Sequence, residues 1–186
     1  MISYELALGL AFVGPILLAG SMSLVDIVHG QAKLWYIFLQ PVGFLLFFIA
    51  SVAEVNRAPF DMPEAEQELT AGYHSEYSGM KFALFFMAEY IKMIAVAMIG
   101  STLFLGGYLS PLNFLSDLPV VGWLFGGGPH WLLLKVAVWL FVMIWIRATL
   151  PRLRYDRLIA LGWNILFPVG MLNVVVTAVV IVLVGG

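Results

Sequence analysis

The sequence contains no cysteine. Disulfides, thiol nucleophiles and cysteine-ligated iron–sulfur clusters are therefore excluded within these 186 residues. Charge is scarce as well: only 11% of residues are Asp, Glu, Lys or Arg, and the formal net charge is −2. Nothing in that balance provides a basic face for nucleic acid. The three histidines, His29, His74 and His130, lie at or near the ends of predicted segments and do not form the facing pair that a membrane haem needs. No basic stretch precedes the first apolar run. Glu5 stands where Lys or Arg would open a signal peptide, so none is expected. The alternating segments of ~10 residues that build a membrane β-barrel are also missing.

What is present is hydrocarbon. The chain is 62% hydrophobic with mean hydropathy +1.00. Several runs approach the ~20 apolar residues that cross a bilayer. These features predict an all-α polytopic membrane protein forming a single membrane domain. Five spans are expected, near residues 3–23, 34–53, 82–106, 131–147 and 160–184. The first loops are short and polar, and the connection 107–130 is rich in Gly and Pro and oddly apolar, as for a segment lying along the interface. Five spans put the loops 54–81 and 148–159 on one side. Those loops and their margins hold Arg57, Lys81, Arg147, Arg152, Arg154 and Arg157, six of the nine basic residues. Positive charge stays inside, so that side is expected to be cytoplasm or organelle matrix.

One stretch stands apart. Between Ala53 and Tyr90 lie seven of the eleven acidic residues: Glu54, Asp61, Glu64, Glu66, Glu68, Glu76 and Glu89. Asp61 is a good N-cap, Pro63 suits a first turn, Glu64 completes a capping box and Gly72 suits a stop, so a short helix is expected from Asp61 to Ala71. Glu54 ends an uncharged span, Glu89 lies about two turns inside the next, and Glu5 begins the first. Carboxylates at membrane depth have raised pKa values and can load and release protons, which a relay through a bilayer requires. Plainer readings stand beside that one. Glu89 has Lys92 three residues on for an intrahelical pair, Glu5 suits an interface, and the loop acids suit a solvated helix. Arg57 is placed for salt bridges to Glu54 or Asp61, or for donation to a ligand from the bilayer. Phe82, Phe85, Phe86 and Tyr90 suit packing, or the lining of an apolar ligand site.

The run AEVNRAPFDMPEAEQELTAGYHSEYSGMKFALFFMAEY, with ISYE at Ile2–Glu5, TLFLGG at Thr102–Gly107 and WIRATLPRLRYDRL at Trp145–Leu158, resembles the quinone-site membrane subunit of respiratory complex I. That family comprises the H-type subunit of bacterial NADH-quinone oxidoreductase and its mitochondrial counterpart, NADH dehydrogenase subunit 1. The resemblance implies a subunit of a proton-translocating NADH:quinone oxidoreductase that takes quinone as substrate and is not catalytic alone. NADH, FMN and iron–sulfur clusters would belong to partner subunits of the redox arm, and small membrane subunits would lead on to the antiporter-like ones. By position, the proton path would comprise Glu5, Glu54, Asp61, Glu64, Glu66, Glu68, Glu76 and Glu89. The quinone chamber would involve Arg57, Phe60, Phe82, Phe85 and Phe86. The face toward the redox arm would carry Arg147, Arg152, Arg154 and Asp156. The implied location is the bacterial plasma membrane or the mitochondrial inner membrane. The competing expectation is a homologous anchor subunit of a membrane-bound hydrogenase or ferredoxin-dependent complex. Two departures stand out. Family members usually carry further spans ahead of the ISYE motif, so the chain is expected to match the C-terminal five-span portion. Asn164 also stands where the family often has Lys.

Overall fold

A computed structural model describes residues 2–56, 59–60, 79–111, 126–151 and 153–185. Among these residues every regular element is helical: α1 (Ile2–Ala19), α2 (Leu24–Gly30), α3 (Tyr36–Leu39), α4 (Pro41–Glu54), α5 (Met80–Phe104), α6 (Pro129–Thr149), α7 (Tyr155–Ala160), a π turn (Leu161–Leu166) and α8 (Phe167–Gly185). The helix expected from Asp61 to Ala71 lies outside the described residues.

Among the described residues, three helices are long and apolar enough to cross a bilayer: α5, α6 and the continuous rod Asp156–Leu183. The pair Ser3–Ala19 and Leu24–Gly30, bent by 63°, makes a fourth if taken as one span. Their outer faces are apolar and exposed, with Leu133, Phe141 and Ile144 on α6 and Leu172, Val176 and Val179 on α8. Such surfaces suit lipid rather than water. The chain is an all-helical polytopic membrane protein.

The span expected over 34–53 is not one helix. It breaks at Gln40, whose backbone sits at φ −133°, ψ 62°. Pro41 is the cause. A proline starts a helix well, because its missing N–H is not needed there, but it crowds the preceding residue out of helical backbone. The remaining 14 residues of α4 rise ~21 Å at 1.5 Å each, short of the ~30 Å hydrocarbon core.

A second proline shapes α8. Pro168 offers no N–H to the Asn164 carbonyl, and its ring crowds that carbonyl. Immediately before it the ladder widens into the π turn Leu161–Leu166. Gly162 lies in that turn, and a Cβ there would stand 2.7 Å from Ser3 Oγ. The glycine lets α1 press against the widened backbone, as small residues do between membrane helices.

Helix α1 packs between α4 and α8, and α5 packs along α6. The two groups meet in an aromatic cluster. Trp139 of α6 lies 5.5, 5.8 and 5.3 Å, centroid to centroid, from Phe44, Phe47 and Phe48 of α4. Phe104 of α5 lies 5.6 and 5.5 Å from Phe44 and Phe47. Gly100 makes this possible, because a Cβ there would stand 2.6 Å from Phe47 Cε1 and 2.7 Å from Trp139 Cη2.

Candidate functional site

The start of α1, residues 59–60 and the segment 153–158 gather at one end of the bundle. Tyr4 is buried and its hydroxyl donates to the Leu158 carbonyl at 2.7 Å. Its ring lies 6.2 Å from that of Phe60, itself buried. The Leu153 N–H donates to the Pro59 carbonyl at 3.1 Å. The acidic and basic loops thus begin side by side. Glu5 is exposed in the first turn of α1, where a carboxylate faces the positive end of the helix dipole.

Glu54 closes α4, where four backbone carbonyls have no partner within the helix. Lys92 reaches this end from α5. Its Nζ lies 2.7 Å from Glu54 Oε1 and donates to the Glu54 carbonyl at 2.6 Å. One ammonium therefore caps the helix and pairs with its last carboxylate. Glu89 stands three residues before Lys92 on the same helix, whereas Glu54 comes to it from another. Side-chain exposures of 43% for Lys92 and 20% for Glu54 leave the pair half-dry.

Along α5, Phe82, Phe86 and Tyr90 repeat at i, i+4 and i+8 and form one stripe, with ring centroids 5.0 and 6.2 Å apart. Phe85, Glu89 and Lys92 run beside it at helical spacing. Phe82 and Phe85 are exposed, whereas Phe86 and Glu89 are half-buried. The result is an apolar strip edged by carboxylates and an ammonium, beside the opening of the acidic loop.

The basic loop is only partly described. Arg154 Nε lies 3.2 Å from Asp156 Oδ2, and both side chains are well exposed. Arg147 is exposed in the last turn of α6. Arg57, Asp61, Glu64, Glu66, Glu68, Glu76 and Arg152 lie outside the described residues, so the expected chamber and path are seen only in part.

The opposite end holds polar groups that the sequence alone did not single out. Lys135 is buried on α6. Its three N–H groups go to the carbonyls of Leu105 (2.5 Å), Gly107 (2.9 Å) and Leu109 (2.6 Å), and it stands 4.5 Å from the Trp35 ring. A hint was available in the glycine pair Gly106–Gly107, which ends α5 with positive φ and leaves carbonyls needing donors. Gln31 is also buried. It donates to the Thr102 carbonyl at 3.0 Å and accepts from the Gly106 N–H at 2.9 Å. Between α4 and α6 at this end is an apolar cavity of about 530 Å³, walled by Trp35, Phe44, Phe48, Leu105, Val138 and Trp139. None of Phe60, Phe82, Phe85 and Phe86 lines it.

Comparison with known proteins decides the family. The model of the NADH dehydrogenase family matches residues 1–178. The chain belongs to that family. Among curated relatives, the H-type subunit of NADH-quinone oxidoreductase from Protochlamydia amoebophila (strain UWE25) is 49% identical over 178 residues, covering 96% of this chain and 51% of the relative. The protein of the same name from Geobacillus sp. (strain WCH70) is 51% identical over 180 residues, covering 97% and 51%. That from Thermomicrobium roseum is 49% identical over 190 residues, covering 97% and 52%. The chain spans about half the length of the curated relatives it matches. Within this NADH dehydrogenase family member, the ISYE segment supplies Tyr4 and the WIRATLPRLRYDRL segment supplies its acceptor Leu158, so two separate motifs meet at one end.

Proposed function

We propose that this chain is a membrane subunit of a proton-translocating NADH:quinone oxidoreductase. In this reading its acidic-loop end contributes part of the quinone chamber and the first carboxylates of a coupling path. Membership of the NADH dehydrogenase family and the names of its relatives support the enzyme class. The observation that carries the site is the Glu54–Lys92 pair. It joins the two helices that flank the acidic loop, at the edge of the Phe82–Phe86–Tyr90 stripe.

In this reading quinone is held near Arg57, Phe60, Phe82, Phe85 and Phe86. Electrons come from flavin and iron–sulfur groups in partner subunits. Reduction to the quinol consumes protons and changes the charge beside the loop. Glu54 is positioned to answer that change, because its charge is balanced by an ammonium that it shares with a helix end. Lys92 holds the carbonyl and the carboxylate of Glu54 at once, so a change of charge at Glu54 would remove one of its two partners and leave the other. Glu89 stands one turn along α5, and Glu5, Asp61, Glu64, Glu66, Glu68 and Glu76 extend the series. Arg147, Arg152, Arg154 and Asp156 face the redox arm on the cytoplasmic or matrix side.

The test is replacement in the assembled complex, with NADH-driven quinone reduction and proton pumping measured together. Glu54→Gln and Glu89→Gln are each expected to depress coupled turnover. Wild-type pumping in both variants would overturn the coupling role.

A further inference from the structure

The junction of α1, α4 and α8 holds buried polar side chains that the role above does not use. Gln40 is 4% exposed and Thr177 8%. Gln40 Nε2 and Thr177 Oγ1 are 2.7 Å apart, and the Thr177 hydroxyl lies 2.7 Å from the Asn173 carbonyl. A hydroxyl has one proton. Thr177 gives it to Asn173, so Thr177 can only accept from Gln40. That fixes the carboxamide, with Nε2 toward Thr177 and Oε1 turned away.

Two atoms are left over. Gln40 Oε1 and Asn173 Nδ2 are buried and find no hydrogen-bond partner among the described residues. One is an acceptor and the other a donor. Both face Gly43, where a Cβ would stand 3.1 Å from Oε1 and 3.2 Å from Nδ2. Gly14 of α1 closes the other side, and a Cβ there would overlap Oε1. Two glycines thus line the space around an orphan donor and an orphan acceptor.

We infer that one water molecule binds at this junction, accepting from Asn173 Nδ2–H and donating to Gln40 Oε1. A buried polar atom left unsatisfied costs about 1–3 kcal/mol, and in hydrocarbon no solvent relieves it. Buried waters occupy such sites where two to four polar partners converge. A weak Cα–H contact from Gly14 would answer only the acceptor and leave the Asn173 donor stranded. The depth matters as well. Gly14 lies ~18 Å along α1 from Ile2 and ~8 Å from Ala19 at 1.5 Å per residue, so the water is held between the two ends of the helix. This site is independent of the quinone reading, since none of its residues belongs to the proposed chamber or path.

The test uses the full chain in its native assembly. A density map that resolves other buried waters is expected to show one peak about 2.7–3.2 Å from both atoms, and Gly43→Ala is expected to abolish it. A map with no peak there, or with Gln40 and Asn173 bonded to each other or to another protein group, overturns the inference. Melting of the assembly gives an independent reading. If the two groups are simply dry, Asn173→Leu leaves the melting temperature unchanged or raises it. If a water joins them, Asn173→Leu strands Gln40 Oε1 and lowers it by about 2–4 °C. An unchanged or raised value therefore also overturns the inference.

Discussion

Lys92 and Glu54 are 38 residues apart in sequence and meet with Nζ 2.7 Å from Oε1, while the same ammonium holds the Glu54 carbonyl. The contact is both an ion pair and a helix cap. Its two parts have different weights. The ion pair is half-dry and contributes modestly to stability, whereas the cap satisfies a carbonyl that α4 leaves open.

This separation can be measured. Glu54→Gln keeps the cap and removes the charge, so a loss of at most about 1 kcal/mol is expected. Lys92→Met removes both and is expected to be the worse of the two. A double-mutant cycle on the assembled protein, read by thermal melting, checks the order. A Glu54→Gln variant less stable than Lys92→Met would show that the charge dominates.

Lys135→Met is expected to cost more than either. Three carbonyls lose their donor at once, each loss worth roughly 1–3 kcal/mol. Lys135→Arg is not a rescue, because a planar fork cannot place three donors on the converging carbonyls of Leu105, Gly107 and Leu109. Yield and melting temperature of the two variants provide the check, and near-normal stability of Lys135→Met would contradict the cage.

The glycines make a paired prediction. Gly100→Ala drives a methyl into Phe47 and Trp139 and is expected to destabilise by about 1–3 kcal/mol. Gly9→Ala meets nothing within 4 Å and is expected to be neutral, or stabilising by up to ~1 kcal/mol through helix propensity. Melting of the two variants side by side tests whether packing or propensity governs these helices.

Tyr4→Phe removes a hydroxyl and leaves its ring on Phe60. The buried Leu158 carbonyl loses a 2.7 Å donor, so about 1 kcal/mol is expected. Backbone hydrogen exchange should rise in the segment Tyr155–Ala160. Unchanged protection there would detach α1 from the basic loop.

The sequence made the membrane class and the long helices legible, because runs of apolar residues have few other uses. The span expected at 82–106 is α5, Met80–Phe104, shifted by two residues at each end. Pro41 was visible, yet an apolar run on both sides of it still read as one span. The break depended on a backbone conflict at Gln40 that hydropathy does not register. The candidate site was readable as residue types but not as partners. Lys92 has Glu89 close in sequence and Glu54 close in space, and only the packing of α4 on α5 brings Glu54 to it. Lys135 and Gln31 were missed for a related reason. Their acceptors and donors are backbone groups near Gly106 and Gly107, and a sequence shows side chains, not orphan carbonyls.

The Lys135 cage has a mechanical consequence. It fastens the start of α6, the end of α5 and the Trp35 ring into one knot at one end of the hairpin. Midway along α5, Lys92 ties the helix to the end of α4 through the Glu54 carbonyl and carboxylate, and between the cage and Lys92 the residues Phe104 and Gly100 seat against Phe47. The stretch of α5 from Met80 to Lys92 lies beyond these attachments to α4, an overhang of about 18 Å at 1.5 Å per residue.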